Sequence, residues 1–201
     1  MLTVKKIISK ILKRCYNTSK KEGACDMKNE KEALDIAKWF MDNNLDNPRN
    51  TFQGNVKLQK LLFFAQLINI AIHDKPLLKG DFYAYENGMV IEEVRLQYKN
   101  ELTKILKRNP IFSGDEISTL ELTKEIYGDA NADELSQLSH QFDFWRKYFV
   151  GSQNSNGYKI KDKSKVPNVE LKKEIQVIKD VLAANTILKN HKKESELDFD
   201  Y

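Results

Sequence analysis

The apolar and polar positions of this chain fall into a series of helical segments around one nearly continuous apolar run. From Leu61 to Ile72, ten of twelve positions are apolar. That run is shorter than the roughly 20 residues a bilayer span needs. A helix apolar on almost every side belongs at the centre of a globular core. Gln59, Gln66 and His73 stand seven apart on it, with Asn69 beside them, so one polar line runs along a buried rod. Buried amides need partners, which predicts hydrogen bonds to neighbouring elements; a ligand site is the alternative. Asn55 is placed to cap the first turn, and His73-Asp74-Lys75-Pro76 ends the helix.

Around this rod the pattern predicts further elements. Glu30 to Asn44 is an amphipathic helix with Ala33, Leu34, Ile36, Ala37, Phe40 and Met41 inward. Phe82 to Tyr85 alternates and is an isolated strand or an extended turn. Gly88 supplies a backbone conformation that a side chain would resist. Glu92 to Leu106 is helical, with Val94, Leu102, Ile105 and Leu106 as its contacts, and Pro110 breaks the pattern. Ser113-x-x-Glu116 is a capping box, and Gly128 stops that helix. Asn131-x-x-Glu134 opens a short helix to about Ser139. Phe142, Phe144, Trp145, Tyr148 and Phe149 form an aromatic cluster, read as core or domain edge ahead of a base-stacking platform, since only Arg146 and Lys147 interleave it. Gly151 to Gly157 is a loop. Asn168 caps a long helix to about Lys189, with Leu171, Ile175, Ile178 and Leu182 as its buried stripe. Glu194 to Tyr201 is an acidic frayed tail. The fold class is therefore mainly α: one globular helical domain around a central buried helix, with at most one or two very short strands. The predicted organisation is a basic amphipathic arm over 1–26, the helical domain over 27–190 and the acidic tail over 191–201.

Charge sharpens the division. The net charge is +4 over 201 residues. Residues 1–26 carry +5 and the remainder −1, so the basic character belongs to the arm. A near-neutral body lacks the clustered Lys and Arg of a dedicated nucleic-acid surface. In the arm, Val4, Ile7, Ile8, Ile11, Leu12 and Cys15 share one helical face against five basic residues. Such a helix can touch an acidic partner or an anionic membrane surface. It can equally pack on the body, or be an upstream extension ahead of Met27. Cys15 and Cys25 are the only cysteines and suit neither a zinc site nor a disulfide framework. Free thiols and a cytoplasmic location are the expectation.

The catalytic inventory is thin. His73, His140 and His191 have no partner at metal-ligand spacing, and Gly54 and Gly88 stand alone rather than in a phosphate loop. Glu92 and Glu93 are adjacent on a helix and do not face each other. His140 is the best single candidate. It closes a helix, where the dipole favours a proton on the imidazole, and Asp143 is near enough in sequence to orient it.

Three ordered segments carry a resemblance. Lys57-Leu58-Gln59-Lys60-Leu61-Leu62-Phe63-Phe64 resembles the Lys-Leu-Gln-Lys-Leu-Leu-aromatic signature of the Panacea family, the SocA-like antitoxin domain. Phe82-Tyr83-Ala84-Tyr85-Glu86-Asn87-Gly88-Met89-Val90 resembles its Ala-Trp-x-x-Gly-Pro-Val element, followed by Val94-Arg95. Ser139-His140-x-x-x-x-Trp145 resembles its Thr-His and Pro-Trp element. The likeness covers roughly Lys31 to Phe149. Tyr85 stands for the usual Trp, Met89 and Phe144 for usual prolines, and Phe63-Phe64 lacks the usual Tyr hydroxyl. These replacements keep bulk and remove polar atoms and rigid turns.

What the resemblance implies is an antitoxin of a toxin–antitoxin pair, not an enzyme and with no cofactor. It would neutralise a protein toxin encoded nearby by direct binding, or act as a proteolytic adaptor that delivers the toxin to a cellular protease. A phage or mobile-element protein that binds a host defence component is the second reading. A hydrolase or metal enzyme using His140 is the third. The polar members of the three segments, Lys60, Tyr85, Asn87, Arg95 and His140, are the expected partner-binding residues. A local hydrogen bond that fixes a turn is the competing role for each.

Overall fold

A computed structural model of the protein describes residues 30–149, 165–166 and 168–197. The arm over 1–26 with both cysteines, the Gly151–Gly157 loop and the last four residues lie outside the described residues. The described part is mainly helical, with short strands.

In chain order the elements are β1 (Lys31–Glu32), α1 (Ala33–Asp42), α2 (Phe52–His73), β2 (Leu78–Lys79), β3 (Phe82–Tyr85), β4 (Gly88–Ile91) and α3 (Glu92–Asn100). They continue with α4 (Leu102–Leu106), α5 (Gly114–Tyr127), α6 (Ala132–Ser139), α7 (Asp143–Tyr148), β5 (Lys165–Val166), α8 (Asn168–Lys173) and α9 (Ile175–Leu197). β1 pairs in parallel with β2, and β3 lies antiparallel between β4 and β5.

α2 is the axis of the molecule. Residues 57–70 are all buried, and α1, α5, α6 and α9 pack around them. The predicted inward face of α1 is the buried face. The aromatic cluster splits. Phe142 and Phe144 join the core and meet the Phe63 ring edge-on at 5.7 and 5.8 Å. Trp145 is only partly buried.

Several boundaries differ from expectation. α2 begins at Phe52, capped by Thr51, whose Oγ1 accepts from the Gly54 amide at 3.0 Å. Asn55 lies inside the helix, and its Nδ2 donates to the Arg95 carbonyl at 3.1 Å. Residues 30–32 enter as coil and strand, because the Lys31 amide donates to the Leu77 carbonyl at 3.0 Å. The predicted helix from Glu92 to Leu106 is two helices broken at Glu101, whose φ is −142°. Leu106 is exposed as a result, while Ile105 turns into the core. α9 runs on through Glu194 to Leu197, past the predicted start of the tail. The capping boxes at Ser113 and Asn131 are both formed.

The polar line along α2 ties it to strands, loops and α5. Gln59 Oε1 accepts from the Ile91 amide at 2.8 Å. Gln66 Oε1 accepts from the amides of Leu77 and Leu78 at 2.8 and 3.2 Å. Asn69 donates to the Lys75 carbonyl and accepts from Thr119 Oγ1 at 3.0 Å. These amides hold the β2–β4 region against a helix that has no strand edge to offer. The predicted hydrogen-bonding role of the line is the one observed for all three.

Candidate functional site

A cavity of about 440 Å³ opens where the first turns of α2 meet the β3–β4 hairpin and α3. Pockets of several hundred cubic ångströms are the size that small ligands and inserted side chains occupy. The wall from α2 is Phe52, Asn55, Val56, Gln59 and Lys60. The hairpin supplies Tyr85, Glu86, Asn87 and Val90, and α3 supplies Arg95, Tyr98 and Lys99. Asn50 and Thr51 close the rim.

Two glycines let these elements approach. Gly88 follows the Glu86-Asn87 turn with φ +91°. A Cβ there would also lie 2.0 Å from Ser139 Oγ and 2.8 Å from Lys60 Cε. At Gly54 a Cβ would meet the carbonyls of Pro48 and Asp46 at 2.4 and 2.5 Å and Tyr98 Oη at 2.7 Å. The loop before α2 therefore packs directly on its backbone. That loop is held by Asp46, which takes Arg49 Nε at 2.9 Å and the Tyr98 hydroxyl at 3.0 Å. The Tyr98 hydroxyl in turn accepts from the Asn50 amide at 3.0 Å. Burial chiefly pushes the Tyr98 phenol well above its ordinary range.

Lys60 is the unusual group. Its side chain is fully buried, and its ammonium donates to the Met89 carbonyl at 2.8 Å. No ion pair to it is formed among the described residues. Burial pulls its proton affinity from 10.5 down to about 7, because the charged form has lost its hydration. A buried cation without a carboxylate is rare in a structural core.

Tyr85 and Arg95 share one carboxylate. The Tyr85 hydroxyl donates to Glu92 Oε2 at 2.7 Å, and Arg95 forks onto both oxygens at 2.7 and 3.0 Å. The guanidinium carbon lies 5.8 Å from the Tyr85 ring centre. Asn87 is exposed at the hairpin tip, and its carbonyl accepts from Ser136 Oγ at 2.6 Å. Behind the hairpin, His140 stacks on Trp145 at 3.9 Å. Trp145 Nε1 donates to the Tyr85 carbonyl at 2.9 Å.

Four of the five expected residues, Lys60, Tyr85, Asn87 and Arg95, therefore line one cavity. His140 stands behind it without lining it. Its chemistry departs from the expectation. Burial first, then the nearby Lys60 charge, lower its proton affinity, against a hydrogen bond to the Glu86 backbone that raises it. The helix-end effect is thus outweighed. Asp143 does not orient it: that carboxylate is 80% exposed and pairs with Arg146. Nε2 of His140 is buried without a hydrogen-bond partner. Among the described residues no group of three His, Cys, Asp or Glu could hold a metal ion.

Sequence reasoning missed Phe52, Tyr98 and Lys99 as wall residues and named Gln59 only as a member of the buried polar line. Phe52 lay ahead of the helix as predicted from a cap at Asn55, and only the structure puts it on the first turn of α2, 67% exposed. The others come together only through the hairpin.

Residues 58–146 match the family model described as Antitoxin SocA-like, Panacea domain. That span begins beside Gln59 and ends just past Trp145, so it contains all five expected residues. No curated protein and no solved structure matched the chain. The match supports a toxin–antitoxin role at the level of the family. Among the described residues no helix is long and apolar enough to cross a membrane.

Proposed function

We propose that the chain is an antitoxin that neutralises a protein toxin by stoichiometric binding, with the cavity mouth as the contact surface. One observation carries the reading. Polar side chains from three separate segments, Lys60, Tyr85 with Asn87, and Arg95, converge on one cavity, and all lie in the span that matches an antitoxin-like family. In such a surface a few anchors supply most of the affinity. The exposed ring of Phe52 and the exposed tip at Asn87 are the first groups a partner meets.

Masking the toxin and tethering it to a protease use the same contact and differ in the toxin's fate. The arm over 1–26 adds a second contact to an acidic surface of the partner.

Co-expression with the neighbouring reading frames, scored for growth rescue and co-purification, tests the proposal. Rescue scales with the dose of this protein, and a complex is recovered at fixed stoichiometry. Asn87→Ala stays folded and weakens rescue. Toxin lifetime separates the mechanisms: it is unchanged under masking and shortened under delivery. Neutralisation by catalytic traces with no complex overturns the proposal.

A further inference from the structure

Resting on that reading, we propose that the cavity receives a carboxylate side chain of the protein partner, with an adjoining apolar residue seated on Phe52. The charges in the wall are unbalanced. Lys60, Arg95 and Lys99 face Glu86 alone. Arg95 already spends Nε and Nη2 on Glu92, which balances its charge, and Lys99 is exposed to water, so neither is the desolvated group that awaits a ligand. Lys60 is. An ammonium has three donors, and the only acceptor found for this one among the described residues is the Met89 carbonyl. It lies within the wall rather than at its rim, out of contact with water. A carboxylate on the cavity floor therefore acts on it through a low-dielectric layer, where a unit charge is felt strongly.

Burial has already cost this lysine most of its hold on a proton. An incoming negative charge restores it, so the lysine and the ligand stabilise each other. The resident structure has not supplied that charge, although Glu86 and Glu92 are close in the fold. Glu92 is spent on Arg95 and Tyr85, and Glu86 is exposed on the turn.

The remaining wall selects the kind of anion. Phosphate recognition favours a free guanidinium fork or a nest of backbone amides. Here the Nε–Nη2 edge of the Arg95 guanidinium is held by Glu92, and the hairpin amide of Ile91 is taken by Gln59. What remains is the desolvated Lys60, the solvent-exposed Lys99 on α3, apolar flanks from Val56 and Val90, and the exposed Phe52 ring at the mouth. That combination fits an acidic residue next to an apolar one on a protein surface.

The test is a titration of the full chain with two capped dipeptides, acetyl-Phe-Asp-amide and acetyl-Phe-Asn-amide, followed by amide shifts in NMR. The pair differs by one charge at constant shape. The expected result is that the Asp peptide shifts Asn87, Gly88 and Met89 and binds at least about tenfold more tightly than the Asn peptide. Lys60→Met, checked for folding by its melting curve, abolishes that preference. Phe52→Ser, at an exposed position, weakens both peptides alike. Equal binding of the two peptides, binding of neither, or a preference that survives Lys60→Met overturns the proposal. So does inorganic phosphate displacing the Asp peptide at equal concentration, which would mark a general anion site. The antitoxin reading fails separately. A clear Asp preference with no growth rescue by the parent chain leaves the carboxylate pocket standing and removes the toxin. Rescue by the parent with no Asp preference does the reverse.

Discussion

The first turns of α2 and its middle are both enclosed, yet different forces enclose them. Around Phe63 and Phe64 the packing is aromatic. Phe63 meets Phe82, Phe142 and Phe144 edge-on, and Phe64 stacks on Tyr127 at 4.2 Å. Around Lys57 to Lys60 the enclosure is polar. Lys57 donates to the Gly128 carbonyl at 2.7 Å, Gln59 takes the Ile91 amide and Lys60 donates to the Met89 carbonyl. Aromatic contacts are many, individually weak and large in sum. Polar contacts are few, and each leaves a buried group unsatisfied when its partner goes. One helix thus provides an inert centre and, about one turn away, a wall that holds unspent charge beside a cavity.

The comparison breaks most visibly at its apolar end. Phe63→Ala removes a ring that touches four others, and a cost of about 3–5 kcal/mol is expected, measured by denaturant unfolding. A loss under 1 kcal/mol would mean that the aromatic middle is not the centre of the core.

At the polar end, Gln59→Leu keeps the volume and strands the Ile91 amide. The expected cost is about 1–3 kcal/mol, with faster hydrogen exchange at Ile91 as its local signature. If Ile91 exchange is unchanged, the amide has another acceptor.

Lys60 sharpens the comparison through pH. Its affinity is about 7 folded and 10.5 in the free chain. The unfolded state therefore binds the extra proton between those values, and stability rises with pH there. The lysine's contribution is full above 10.5 and is lost as pH falls to about 7. Tyr127, pushed up to about 12 by burial, acts in the opposite sense only above its ordinary 10.0. Between pH 7 and 9.5 the parent should therefore gain on Lys60→Met by on the order of 1 kcal/mol per pH unit, read from urea midpoints. Parallel pH profiles for the two proteins would show that the ammonium is solvated.

The smallest effect belongs to Arg95. Its pair with Glu92 is partly exposed, so Arg95→Gln should cost less than about 1 kcal/mol of stability. Its effect on toxin rescue should be larger than its effect on melting. A large fall in melting temperature would make Arg95 a structural strut of the hairpin.

Much of the architecture was legible in local pattern. The inward face of α1, the capping boxes at Ser113 and Asn131 and the need for Gly88 follow from spacing and backbone sterics alone. Boundaries were less legible. Thr51 replaced Asn55 as cap because the loop folds onto Gly54, and nothing near Glu101 announces a break. The candidate residues were legible as polar members of apolar motifs, whereas their grouping was not. His140 shows the limit most clearly. Its place at a helix end suggested a raised affinity, and burial beside Lys60 reversed the sign.

By itself, then, the sequence determined the elements, the rod at the centre and the list of polar residues for which packing had no use. Periodicity and capping act over a few residues, so they are written in the local order of the chain. Only the tertiary structure decided that Lys60 would be buried beside a glycine 28 positions later, that Glu92 would absorb Arg95, and that a cavity would remain between them. Solvation and charge pairing depend on which distant segments meet, and the β3–β4 hairpin folding over α2 is what makes them meet.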